Sequence, residues 1–148
     1  MTRVLVLNGP NLATLGERET GVYGTRSLAD IEALVRSRAA QLGIDVRFEQ
    51  TNHEGTLVDI LDEERGRSDG CIINPAGLSH TSISLADAIR AFAKPVIEVH
   101  LSNIHAREEY RRVSLSASAS VAMITGLGSQ GYVLALEGLA GILDGSST

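Results

Sequence analysis

SLADAIRAFAKPVIEVHLSN, residues 84 to 103, holds the fold in miniature. Its first half belongs to a segment of helical spacing, Pro95 can open a strand, and VIEVHL at 96–101 is a Val- and Ile-rich run that ends in polar residues. The same alternation runs through the chain. VLVL at 4–7, VRFEQ at 46–50, CIIN at 71–74 and VAMIT at 121–125 read as four further strands. Between the strands, helical spacing predicts helices over about 27–42, 56–67, 81–93, 105–112 and 130–143. Ser27 is placed to cap the first of these and Gly43 to end it. Strand alternating with helix implies parallel strands joined by right-handed crossovers. The expected architecture is α/β, a three-layer sandwich: a flavodoxin-like, five-stranded parallel sheet in the order 2-1-3-4-5 with helices on both faces.

Composition limits what such a domain can do. The 148 residues make one ordinary domain, spanning 1–148, with no linker or repeat. A net charge of −5 and the absence of a Lys/Arg cluster speak against nucleic acid and against an anionic membrane surface. The single cysteine, Cys71, lies in an apolar run and reads as a buried reduced thiol. The apolar N-terminal run is too short for a secretory signal, and a cytoplasmic location is expected.

Ligands of open parallel sheets bind beyond the carboxyl ends of the strands, which directs attention to three polar sequences. Strand 1 runs into NGPNLATLGERETGVYG at 8–24, strand 3 into INPAGLSHTS, and strand 4 ends in EVHLSN. Glu98 and His100 stand two apart on one strand and so share a face, where a carboxylate can fix the tautomer of an imidazole for acid–base work. A structural ion pair is the alternative use of the same spacing. The long, irregular segment carrying Arg18 and Tyr23 suits a lid, and a guanidinium near a tyrosine favours the phenolate a base requires. Arg107 and Arg111, at i and i+4 of the expected 105–112 helix, form either a solvated stripe or an anion clamp.

Other motifs fail on context. GLGSQG at 126–131 matches GxGxxG, yet no further strand or acidic partner follows, so close helix-to-strand packing explains its glycines better. Asn8 and Asn74 stand where a phosphoacceptor site needs Asp. No HExxH or paired-Cys spacing points to a metal. SLSASAS at 114–120 reads as a connecting loop.

Taken in order, NGPNL…LG.RE…VYG, NHEG, INPAGLSHTS, IEVHLSNIHAREEYR and GLGSQGY resemble the type II 3-dehydroquinate dehydratases over nearly the whole chain. The resemblance implies anti elimination of water from 3-dehydroquinate through an enolate, without metal or organic cofactor, in the shikimate route to aromatic compounds. Quinate breakdown, or a related dehydratase of another cyclic hydroxy ketone, is the alternative. By the same resemblance Tyr23 is the general base and His100, oriented by Glu98, the general acid. Arg18 on a lid at about 9–26 stabilises charge, and Asn11 holds a water on the enolate oxygen. Asn74, His80, Leu101, Ser102 and Arg111 become substrate contacts, Arg107 a lid partner, and Asp87 a residue reaching a neighbouring subunit's site. Trimers gathered into a dodecamer are implied too. The sequence departs from the family pattern at Ala13, at Thr20-Gly21 where a proline is common, and across 113–122, which lacks the usual bulky and proline residues.

Overall fold

The computed structural model describes residues 1–17 and 19–145. Strands β1 (Thr2–Asn8), β2 (Ile44–Gln50), β3 (Gly70–Asn74), β4 (Val96–His100) and β5 (Ala122–Thr125) form one parallel sheet in the order β2-β1-β3-β4-β5, as the alternation predicts. The helices are α1 (Thr20–Tyr23), α2 (Leu28–Leu42), α3 (Glu54–Glu64), α4 (Ile83–Phe92) and α5 (Gln130–Leu143).

The pleat divides the apolar residues between two layers. Val4, Val6, Val46, Ile72, Ile97 and Val99 pack against α2 and α5. Leu5, Leu7, Cys71, Ile73 and Val96 meet α3 and α4 on the other face. Burying each such side chain contributes roughly 1.5–3 kcal/mol. Cys71 is a free, buried thiol whose surroundings push its proton affinity up. Close approach of α5 to the sheet depends on Gly131, where a Cβ would meet Val99 Cγ1 at 3.3 Å. That is the packing role expected of the GLGSQG stretch.

Local signals set the helix ends. Ser27 and Asp30 form a reciprocal capping box on α2, and Gly43 ends it in the left-handed region at φ 68°. Ser82 caps α4 by accepting from Leu85 N at 2.9 Å. Three expectations are corrected. The helix predicted over 105–112 is instead two 3₁₀ turns, Ile104–Ala106 and Glu109–Arg111, because Asn103 caps the first turn and Arg107 is extended at φ −110°. The segment following β1 is not wholly irregular, since it contains a 3₁₀ turn at Leu12–Thr14 and then α1. Residues 114–120 are not a plain connection either, because a 3₁₀ turn at Ser116–Ala119 folds them against β4 and α4.

The edge of the sheet away from the ligand end is tied by charge. Glu64, fully buried at the end of α3, accepts from Arg3 Nη2 at 2.9 Å, from Arg47 Nη1 at 2.8 Å and from the Ser68 hydroxyl. Burial alone would raise the proton affinity of Glu64, but these bonds hold its carboxyl down at about 2. One carboxylate thus fastens β1, β2 and α3 together.

Candidate active site

The carboxyl ends of β1 and β3 are drawn unusually close. Gly9 N donates to Asn74 O at 2.8 Å, and a Cβ on Gly9 would lie 2.6 Å from Pro75 O, so only glycine fits. Beyond this contact both chains turn through left-handed residues, Asn11 at φ 69° and Ala76 at φ 54°. Non-glycine residues rarely adopt that region except at turns or functional sites. Beneath them the buried Tyr132 hydroxyl donates to Asn8 Oδ1 at 2.7 Å and accepts from Asn74 Nδ2 at 2.9 Å. Asn74 Oδ1 accepts from Ala76 N at 3.1 Å. A buried polar network spanning β1, β3 and α5 therefore supports the floor of a cleft.

That cleft is a concave opening at the carboxyl end of the sheet, the setting in which small molecules bind. Asn11, Tyr23, Asn74, His80, His100, Leu101, Ser102, Arg107 and Arg111 line it, with Pro10, Leu12, Ala76, Gly77 and Ile104. His100 is buried and bonds through Nε2 to Glu98 Oε2 at 2.7 Å. Glu98 is fully buried and accepts two further bonds, from Ser114 Oγ at 2.6 Å and from Ser116 Oγ. Burial would raise the Glu98 carboxyl, but the three donors bring it below the ordinary carboxylate range. An anion here favours a proton on the imidazole nitrogen facing it. His80 stacks on His100 with ring centres 6.3 Å apart and bonds through Nδ1 to Val113 O at 2.7 Å.

Tyr23, half-buried on α1, brings its hydroxyl to Arg107, whose Nη1 donates at 2.9 Å and whose Cζ lies 5.2 Å from the ring centre. The same Nη1 lies 3.3 Å from Ser102 Oγ. Arg111 Nε donates to Glu108 Oε2 at 2.6 Å. Partial burial opposes the charge of Arg111, yet Glu108 and the nearby Tyr23 hold its proton affinity above the ordinary value. Arg107 and Arg111 thus bring positive charge to a cleft that also holds two imidazoles and a phenol, an arrangement able to hold an anionic ligand.

Nine residues singled out from the sequence meet in this cleft, and Glu98 stands directly behind it. Arg18 lies outside the described residues. Asp87 is not in the cleft: it sits on α4 with its side chain 69% exposed, paired with Arg90 at 3.4 Å. Ser114 and Ser116 were not anticipated, because their partner Glu98 lies 16 to 18 residues earlier. The one available signal was that a buried carboxylate on β4 needs donors, and SLSASAS is the densest run of hydroxyls in the sequence. Among the described residues no group of three or more His, Cys, Asp and Glu side chains is placed to hold a metal ion. Likewise no described helix is long and apolar enough to cross a membrane.

Comparison with known proteins agrees with this fold. Residues 2–140 match the family model described as Dehydroquinase class II. A 3-dehydroquinate dehydratase of Sinorhizobium medicae is 54% identical over 143 residues, covering 97% of each chain. Among solved structures, the type II dehydroquinase of Butyrivibrio crossotus superimposes with a TM-score of 0.92 at 35% identity, over 93% of this chain and 97% of that one. That of Propionibacterium acnes gives 0.91 at 42% identity, over 95% and 97%.

Proposed function

Since the chain belongs to the class II dehydroquinase family, we infer that it is a hydro-lyase converting 3-dehydroquinate into 3-dehydroshikimate and water. The observation that best supports this reading is the pairing, in one cleft, of His100 backed by Glu98 with Tyr23 beside a guanidinium.

The roles of the residues follow from what the reaction needs. Tyr23, as phenolate, removes the proton from the carbon between the ketone and the departing C1 hydroxyl. The C–H electron pair becomes an enolate, whose charge is met by a water held on Asn11. Collapse of the enolate forms the new carbon–carbon double bond and expels the C1 hydroxyl, which leaves as water with a proton from His100. Glu98 offsets the imidazolium charge before transfer and keeps the ring aimed. The proton left on Tyr23 passes back to His100 to close the cycle, so substrate loses only water. An anti course places base and acid on opposite faces of the ring, in keeping with a base on α1 and an acid on β4.

Binding is divided among the remaining groups. Leu101 and Ser102 take the substrate carboxylate, Asn74, His80 and Arg111 its hydroxyls. Arg18, with Arg107 already at the Tyr23 hydroxyl, stabilises the phenolate and closes the lid. Asp87 and the exposed Ile83 on the same helix favour a trimer in which Asp87 reaches a neighbouring cleft. We assign the dodecamer as four such trimers, and the cytoplasm as the site of a biosynthetic role.

The test is direct. Adding 3-dehydroquinate to purified protein should produce the ultraviolet absorbance of a conjugated enone, and well-folded protein without that signal would refute the assignment. Light scattering on a sizing column should give a mass of twelve chains; a stable monomer would remove the role given to Asp87.

A further inference from the structure

We propose that Ser114 and Ser116 are positioning residues for the dehydration, holding the Glu98 carboxylate toward His100 from a strap that also braces His80. The proposal rests on the dehydratase reading and on His100 as its acid.

A carboxylate that is fully buried cannot borrow solvation from water, so it must be met by donors or lose its charge. Glu98 has three: His100 Nε2 at 2.7 Å, Ser114 Oγ at 2.6 Å and Ser116 Oγ. An ionised carboxylate only accepts, so both hydroxyls must donate to it. Ser114 Oγ also accepts from Ala117 N at 3.1 Å, which leaves its proton free to point at Glu98. The strap is anchored on both sides. Leu115 N donates to Ser79 O at 2.6 Å, Val113 O meets His80 Nδ1 at 2.7 Å, and Ser120 Oγ donates to Ser116 O at 3.0 Å. Residues 113–116 therefore touch the supports of both stacked imidazoles.

Neither serine lines the cleft, so both act through Glu98. Other titratable or charged groups on the elements around Glu98 are Cys71 on β3, His80 before α4, and Asp87 and Arg90 on α4. The last two are paired with each other at the surface. Among the described residues, His100 is the one ionisable group that hydrogen-bonds Glu98.

Ser114→Ala, Ser116→Ala and Ser114→Thr are to be compared with the parent enzyme by turnover of 3-dehydroquinate across pH. Each alanine variant is expected to lower kcat about 10-fold with KM unchanged, and to move the low-pH limb upward by about one unit, because losing a donor raises the proton affinity of Glu98. Ser114→Thr keeps the hydroxyl and should restore both. A carbon-13 titration of the Glu98 carboxyl, which needs no substrate, should show the same upward shift. Should the buried Ser116→Ala variant fail to fold, half-buried Ser114 still carries the test. An unmoved pH profile and carboxyl titration in folded Ser114→Ala, or a loss in KM alone, would overturn the proposal. Parent protein that shows no turnover while the carboxyl shift occurs would instead sink the dehydratase reading and leave the hold on Glu98 standing.

Discussion

Arg107 and Tyr23 meet twice, once through a 2.9 Å hydrogen bond at the phenol hydroxyl and once through stacking of the guanidinium over the ring at 5.2 Å. The two residues come from different parts of the chain: Tyr23 stands on α1, and Arg107 follows β4. Their contact ties α1 to the segment after β4 and directs positive charge at the Tyr23 hydroxyl. Replacing Arg107 by Ala is expected to lower kcat/KM by about 10- to 100-fold, corresponding to ~1.4–3 kcal/mol for a charge-assisted bond. Lysine should rescue poorly, because an ammonium cannot both stack and donate as the planar fork does. Steady-state kinetics of the two variants decides the matter, and full activity in Arg107→Lys would refute the stacking role.

Tyr23→Phe removes the proposed base while keeping the ring that Arg107 covers. Turnover should fall by roughly 10²- to 10⁴-fold, the usual worth of a general base. Because Tyr23 is half-buried on a short helix at the surface, the circular dichroism and melting temperature should stay at parent values. Turnover near the parent rate would place the base elsewhere.

Tyr132→Phe tests the floor. It removes one hydroxyl that serves both Asn8 and Asn74, taking from Asn8 Oδ1 its donor and from Asn74 Nδ2 its acceptor in that network. Stability should fall by about 1–3 kcal/mol. For a chain of this length that corresponds to a melting temperature lower by roughly 2–4 °C per kcal/mol. KM should rise as well, since Asn74 and Ala76 line the cleft. Thermal melts and kinetics on one preparation separate the two effects.

Acid should attack the far edge of the sheet. The Glu64 carboxyl lies at about 2 in the folded chain against an ordinary value of 4.5. A value depressed by folding gives stability that is fully present above the unfolded value and is lost as pH falls from about 4.5 toward about 2. The parent melting temperature should therefore hold above pH 5 and drop through that window. Glu64→Gln should start lower at neutral pH, by about 3 kcal/mol for breaking a buried ion pair, and decline less steeply on acidification. Parallel curves for the two proteins would show that another group governs acid unfolding.

Much of this was legible in the sequence, and what was not has a physical cause. The β-branched runs located every strand within two residues, because a buried parallel sheet demands them on both faces. Ser27 and Gly43 announced the ends of α2 through side-chain and backbone chemistry that is local. HAREEYRR, by contrast, carries helix-forming residues at helical spacing and still forms two separate turns. Asn103 caps a turn too early for a longer helix, and Arg107 leaves helical geometry to reach Tyr23. Tertiary contact overrode propensity there. The serine strap was illegible for the opposite reason, since its meaning lies in a carboxylate on another element.

Gly9 also bears on how this protein can vary. With Pro75 O standing 2.6 Å from where a Cβ would be, every other amino acid acts at position 9 as the same wedge, whatever its polarity or size. A saturation scan should thus find a position whose intolerance carries no chemical preference, beside exposed neighbours such as Ala13 and Glu17 that accept most substitutions. The shape of the cleft floor is in this sense written in the backbone, and drift among the surrounding side chains can proceed without redrawing it.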